Sequence, residues 1–440
     1  MRALRPLRHR EFRLLWAGLA VSLVGDGLWL VALAWQVIEL DGGPLQLSLV
    51  TTAFSVGLIG CILIGGVVAD RVSRRRVMLA ADAVRLVVTV VVGLLALGGA
   101  LELWQLAIGA FLVGSAEAFF VPAFTALVPQ LLPEDELLAA NGLEGVIRPL
   151  ALQALGPGLG GLIVAAASPG DAMLANGASY AISVLCLWRM RPVPLPVRTE
   201  ASPAGLPPTI DGAAVAAGAG GLGAALAEMR EGWRYVRSQR WLWATLLFAC
   251  IAILFLLGPI EVLLPFAVRD QTGGGADAYG LVLAVYGIGG AAGALLIASR
   301  RLPRRYLTVM LLAWGVGSAP VAAFGYLEVL WAMVVVSALV GVCDQVGQVI
   351  WGTLMQRRVP AELQGRVASL DWFVSLGLLP VSMALAGPAA ELVGVTAVFV
   401  ASGAACAIVG LVVLFGLHLR QDELAHPLDV PATRPAGGAS

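Results

Sequence analysis

Leu112-Val113-Gly114-Ser115-Ala116-Glu117 returns 227 residues later as Leu339-Val340-Gly341-Val342-Cys343-Asp344. In both copies an acid stands inside an apolar stretch long enough to cross a membrane. A carboxylate at the centre of such a helix costs about 3 kcal/mol on insertion scales, so an acid kept there marks function by default. Acids at matching places in two halves point to a duplicated membrane machine with a polar site near the midplane. In a chain rich in Leu, Val and Gly, one short apolar match is weak by itself. The same offset, however, also pairs Gly66 with Gly293, Pro133 with Pro360 and Glu144 with Asp371. Several rarer residue types in one register favour an internal repeat over coincidence.

The rest of the chain agrees. It has 440 residues, 59% hydrophobic and 13% charged, with a mean hydropathy of +0.89. Soluble domains carry about 25% charged residues, so this is the composition of a polytopic membrane protein. Apolar stretches near the roughly 20 residues a helical span needs fall at 14–40, 46–69, 77–98, 102–131, 138–167, 171–190, 241–268, 277–299, 306–325, 329–356, 367–389 and 394–418. The alternating pattern of membrane barrel strands is absent. The expected fold is an all-α membrane protein with twelve transmembrane helices in two pseudo-symmetric six-helix bundles, residues 1–190 and 241–420. The first stretch is read as an uncleaved span, because it is long for a signal segment and interrupted by Asp26.

All basic side chains are arginine, and their placement sets an expected orientation. Arg2, Arg5, Arg8, Arg10 and Arg13 precede span 1, Arg71, Arg74, Arg75 and Arg76 follow span 2, Arg300, Arg301, Arg304 and Arg305 follow span 8, and Arg357, Arg358 and Arg366 follow span 10. Only Arg269 falls in a loop on the other side. By the positive-inside rule both termini are cytoplasmic. Residues 191–240 are expected to be a cytoplasmic linker, Pro-rich and then Gly/Ala-rich, ending in an amphipathic helix. There Leu226, Met229, Trp233 and Val236 form the apolar stripe, with Arg230, Arg234 and Arg237 off it. Residues 421–440 read as a disordered tail. The five cysteines, all inside spans, read as packing residues and not as a disulfide or metal framework.

Gly66-Val67-Val68-Ala69-Asp70-Arg71-Val72-Ser73-Arg74-Arg75-Arg76 closes span 2 and opens span 3. It resembles the signature loop of the major facilitator superfamily, with Ser73 where glycine is usual. A small residue at Gly66 would let two helices pack closely, and Asp70 would meet a helix N-terminus or an arginine as a latch between states. The alternative is that the arginines only set topology. In the second half Ile297 replaces the acid, so the latch is expected on one side only. Gly156-Pro157-Gly158-Leu159-Gly160-Gly161 in span 5 is similar to the element that marks exporters and antiporters of this superfamily. Generic close helix packing is the alternative reading. Ser22-Leu23-Val24-Gly25-Asp26, Pro129 to Pro133 running into Ala140-Asn141-Gly142, and Val359-Pro360 through Gly365-Arg366-Val367 extend the resemblance to macrolide-efflux and enterobactin-export proteins. Glu117 stands where many drug antiporters carry a span-4 arginine.

The resemblance implies that spans 1, 4, 7 and 10 line a central cavity, and each carries an acid: Asp26, Glu117, Glu261 and Asp344. Trp29 and Gln36 share a helix face with Asp26, Phe120 with Glu117, and Gln348 and Trp351 with Asp344. Such a cavity suits amphipathic, cationic or neutral cargo held by charge and cation–π contacts. Its carboxylates are also candidates for proton coupling. That each acid is a neutral or paired structural group stays an open alternative. Arg148, four residues after Glu144, reads as an ion-pair partner of Glu144 or of Glu117. Asp82, Arg85 and Asp371 are assigned with Gly66, Asp70, Arg71, Arg74 and Arg75 to the inner gate. No catalytic constellation, metal cluster or phosphate loop occurs, so the chain is read as no enzyme. No cofactor is expected, and a proton gradient is implied as the drive. The expected partners are a small amphipathic substrate and the bilayer, not nucleic acid, in a monomer of a bacterial plasma membrane. The expected activity is export in exchange for protons by alternating access. Siderophore or lipid export on the same fold, and a non-transporting receptor, are the alternatives.

Overall fold

A computed structural model describes residues 2–191, 230, 232–300 and 302–428, and every regular element among the described residues is a helix. After a short 3₁₀ segment, Arg2–Arg8, come the six long helices of the first half. They are α1 Arg10–Glu39, α2 Pro44–Ala69, α3 Arg74–Leu97, α4 Leu103–Leu131, α5 Asp135–Ala166 and α6 Pro169–Arg189. The second half comprises α7 Arg240–Thr272, α8 Ala276–Ala298, α9 Tyr306–Gly325, α10 Leu330–Arg358, α11 Leu363–Val393 and α12 Val395–Gly416. Eleven of the twelve are apolar enough throughout to qualify as spans on composition. The exception, α6, carries Asn176, Ser179, Tyr180 and Ser183, and all four are buried inside the bundle. Its polarity faces its neighbours α1 and α3, where it has work to do.

The repeat is visible in the packing. α2 lies along α4 and α8 along α10. In each pair a glycine of the opening motif makes the approach possible: Gly114 abuts the backbone carbonyl of Phe54, and Gly341 that of Tyr286. A side chain at either glycine would collide with backbone. Around the outside, Leu63 is 81% and Leu392 85% exposed, which fits helices facing lipid.

Three apolar cores divide the molecule. One runs through both halves at the end away from the termini, joining Val31, Leu47 and Met173 to Phe266, Tyr279 and Phe399. At the opposite end the cores are separate, one built from the first half around Leu15, Met78 and Leu127, the other from the second around Trp241, Met310 and Ile350. The halves meet chiefly through α2 with α11 and α5 with α8. The Ser48 hydroxyl donates to the Met383 carbonyl across the first contact. The molecule is thus closed at one end and parted at the end that bears the termini.

Several boundaries differ from expectation. Leu419–Ala425 forms a further helix, α13, so the chain beyond 420 is ordered to at least that point; residues 429–440 lie outside the described ones. Glu423 of α13 is wholly buried and accepts from the Thr308 amide and hydroxyl at 2.9 and 2.5 Å. Asp422 pairs with Arg358 at 2.6 Å. The segment is held because its acids satisfy groups at the ends of α9 and α10. Residues 232–238 are helical, with Val236 buried and Trp233 half exposed. Leu226 and Met229 of the expected stripe lie outside the described residues.

Candidate functional site

A cavity of about 660 Å³ opens between the halves. Its wall is mostly second-half: Phe248, Tyr279, Tyr286, Trp314 and Trp351 supply aromatic surface, while Leu30 of α1 and Gln153 and Pro157 of α5 reach it from the first half. Among the described residues three carboxylates line it, Glu261 on α7, Asp344 on α10 and Asp371 on α11, and no basic side chain does. Asp344 accepts from the Tyr286 hydroxyl at 3.1 Å and from Gln345 at 3.4 Å. Trp314 donates to the Asp344 backbone carbonyl at 3.1 Å, fixing α9 to the same point. Asp371 accepts from Trp351 at 3.2 Å. Glu261 sits where α7 loosens into π-helical turns, Ile253–Leu257 and Pro259–Leu263. Ser382 of α11 supports that loosened segment, accepting from the Gly258 amide at 2.8 Å and donating to the carbonyls of Ile253 and Leu254 at 2.9 Å.

The first-half acids are elsewhere. Asp26 accepts from the Tyr180 hydroxyl of α6. Beside it, Asp82 and Arg85 of α3 form an ion pair at 2.5 Å with side chains essentially sealed from solvent. Ser183 of α6 donates to the second Asp82 oxygen at 2.6 Å. The Arg85 guanidinium lies between two rings, 4.6 Å from the centre of Phe120 and 4.8 Å from that of Tyr180. Asp26, Asp82 and Glu117 all stand within electrostatic reach of it. Placing a guanidinium between aromatic faces and against a bonded carboxylate is how a charge survives at this depth.

Of the residues assigned to one cavity, then, Glu261, Asp344, Gln348 and Trp351 line it. Asp26, Glu117 and Phe120 belong to the first-half cluster instead. Trp29 and Gln36 are buried in the packing of α1 and do not reach the wall. Arg148 makes its direct ion pair with Glu144 at 3.3 Å, partly exposed, and stands within electrostatic reach of Glu117 and Asp26. Two gate assignments need correcting: Asp371 is on the cavity wall, and Asp82–Arg85 is the ion pair at the centre of the buried charge cluster. Both corrections have one cause, since depth along a helix can be counted but the direction a residue faces is set by neighbours.

The remaining gate residues sit at the parted end. Arg74 donates to the Ala126 carbonyl of α4, and Arg75 to Leu187 and Trp188 of α6, each at 2.6 Å. Arg75 thereby caps the free carbonyls of the last turn of α6. Arg71 is exposed, and the Asp70 side chain lies outside the described residues. Gly66 has open space where a side chain would go, so it is not the close-packing position; Gly65, one residue back, presses on the backbone of Ala118. One residue is a 100° turn on a helix, enough to exchange the packed and open faces.

The glycine-proline element works on two fronts. Gly156 meets Gly27 of α1 and Gly160 meets Leu28, while Pro157 and Gly161 lie against Gly280 of α8. It joins α5 at once to its own bundle and to the other half. Sequence reading missed Tyr180, Ser183 and Tyr286. The first two had a signal in the spacing 176, 179/180, 183, a polar stripe down one face of an otherwise apolar helix.

Comparison with known proteins agrees with this architecture. The chain is 29% identical over 415 residues to the multidrug efflux pump Tap of Mycolicibacterium fortuitum, covering 91% of this chain and 94% of that one. It is 24% identical over 404 residues to macrolide efflux protein A of Streptococcus pyogenes, covering 89% and 92%. The nucleoside transporter NupG (D323A mutant) superposes with a TM-score of 0.70 at 11% identity over 93% of this chain and 99% of that one. A bacterial homologue of the human lysosomal transporter Spinster gives 0.65 at 16% identity, over 95% and 98%. The transmembrane secretion effector family matches residues 1–431, and with twelve helices in two repeats around a central cavity the chain belongs to that family, within the major facilitator superfamily of membrane transporters.

Proposed function

We propose that the protein exports amphipathic organic cations across the bacterial plasma membrane in exchange for protons, by alternating access of one cavity to the two sides. The observation that carries this reading is the cavity wall, aromatic and apolar, with three carboxylates and no basic residue among the described residues. An organic cation gains there from apolar burial, from ring faces and from charge. An anionic siderophore or lipid headgroup would face three like charges, and Arg148, the cation it would need, is held by Glu144 away from the wall. The relatives named as efflux pumps support the export direction.

Proton coupling falls to the first-half cluster, where Asp26 and Glu117 stand within reach of each other and of Arg85. Asp26 and Glu117 take up and release protons, while Asp82 stays committed to Arg85. The termini lie on the cytoplasmic side, as the arginine-rich loops require, so the cavity described here opens inward, ready to load cargo. Gly156 to Gly161 forms the pivot that keeps the outer end closed in this state. The protein acts as a monomer with no cofactor beyond the gradient.

The test is ethidium efflux from intact cells, with and without a protonophore. The expected result is protonophore-sensitive efflux that is lost in Asp26→Asn and Glu117→Gln variants inserted at normal levels. Full proton-dependent efflux in both variants would remove the coupling assignment.

A further inference from the structure

Resting on the cation-export reading above, we infer that the cavity is built for elongated cargo with two cationic ends, which Glu261 and Asp371 would hold at opposite poles. Cavity carboxylates and an unpartnered acid within them carry this inference together. Glu261 faces the cavity and is partly accessible from it, and it has no hydrogen-bond or ion-pair partner among the described residues. A carboxylate on a mostly apolar wall without a partner gains from a cation brought beside it, and the other two acids are only partly served, by Tyr286 and Gln345 at Asp344 and by Trp351 at Asp371. Gln153, on the wall from the first half, adds a buried amide oxygen that also lacks a partner. The three carboxylates and the Gln153 amide oxygen therefore give the wall a set of under-served acceptors that positive charge or N–H donors would satisfy.

The acids are spread along the cavity, not gathered. Glu261 lies eleven residues from the outer end of α7, Asp344 fourteen from that of α10, and Asp371 twenty-two from that of α11. At about 1.5 Å of rise per residue, the outermost and innermost carboxylates differ in depth by about 15 Å. A single positive centre satisfies one pole and leaves the other bare. A rod with a cation at each end satisfies both, while its apolar middle lies against Phe248, Tyr286 and Trp314. Asp344, between the poles, sets the lower limit on how short such a molecule is and still engages two acids.

The experiment uses the purified full chain in proteoliposomes and radiolabelled tetraphenylphosphonium as the bound probe. Competitors are bis(trimethylammonium) alkanes with polymethylene spacers of increasing length, each beside the single-headed trimethylammonium alkane of equal carbon count. The expected result is a two-headed advantage that appears only beyond a threshold spacer and reaches about tenfold or more, where tenfold corresponds to 1.4 kcal/mol. Glu261→Gln and Asp371→Asn should each weaken both classes of competitor and bring their ratio back to near one. A ratio near one at every spacer length, with tetraphenylphosphonium still bound, would overturn the two-pole inference and leave cation export standing. Failure of the unmodified protein to bind tetraphenylphosphonium at all would remove both. The spacer series needs no variant, so a misfolded mutant does not decide the outcome.

Discussion

The two halves of this transporter each carry an acid at the same place in one motif, Glu117 and Asp344, and treat it in opposite ways. Glu117 ended up in a neighbourhood with a cation, because α3 supplies Arg85 and α6 supplies Tyr180 and Ser183. At the matching offset the second half has Leu312 for Arg85, Val309 for Asp82 and Ala407 for Tyr180. Asp344 consequently has a tyrosine and an amide for company but no positive charge. The first half holds its charges in a self-contained cluster; the second leaves its acids open to whatever enters the cavity. A duplicated scaffold has been divided between a proton-handling half and a cargo-handling half by substitutions on helices that do not carry the shared acid. This division is part of the proposed function, and it makes the two halves respond differently to the same kind of mutation.

The largest difference should come from Arg85→Ala. Removing one partner of a sealed ion pair strands Asp82, a loss of about 3–5 kcal/mol, read as a fall in thermal stability in detergent or loss of folded protein. The paired change Asp82→Asn with Arg85→Gln should recover part of it; no recovery would mean that Arg85 is held by more than Asp82. Next, Gly161→Val pushes a side chain toward the Ala276 carbonyl, 2.5 Å from where its first carbon would lie. Overpacking there should cost about 1–3 kcal/mol, whereas Gly66→Ala, in open space, should stay within about 0.5 kcal/mol. Equal effects of the two would break the assignment of the close-packed positions. Tyr180→Phe removes a hydrogen bond to a carboxylate and should cost about 1.5 kcal/mol, again measured as thermal stability, with a shifted pH profile of efflux as the functional sign.

Asp344→Asn is the counter-case. No cation is stranded, so stability should change by less than about 1 kcal/mol, while tetraphenylphosphonium binding should weaken about tenfold or more. A stability loss comparable to that of Arg85→Ala would show that Asp344 is structural and would dissolve the contrast. Smallest of all, Arg148→Gln breaks a half-exposed pair and should shift stability by less than about 0.5 kcal/mol.

What the sequence disclosed, it disclosed through periodicity and cost. A membrane helix must be long and apolar, so twelve spans could be counted from apolar length alone. Charges inside a span are expensive, so Asp26, Glu117, Glu261 and Asp344 stood out as the places to look. The glycine-proline element was legible for a similar reason, since close backbone approach requires small residues at fixed spacing.

Which side chain faces which neighbour was decided only in three dimensions. Rotation about a helix axis and the choice of adjacent helix depend on the packing of the whole bundle, and one residue of shift turns a side chain from a cavity to a core. That is why Asp82, Arg85 and Asp371, gate residues by sequence position, are found at the charge cluster and on the cavity wall. It is also why the motif points to Gly66 as the packing glycine when Gly65 is the one in contact. From the chain alone came twelve helices, two halves and four costly acids; the division of those acids between a cluster built around a cation and a cavity without one came from tertiary structure, because a charge's role depends on the nearest opposite charge, and that lies on another helix.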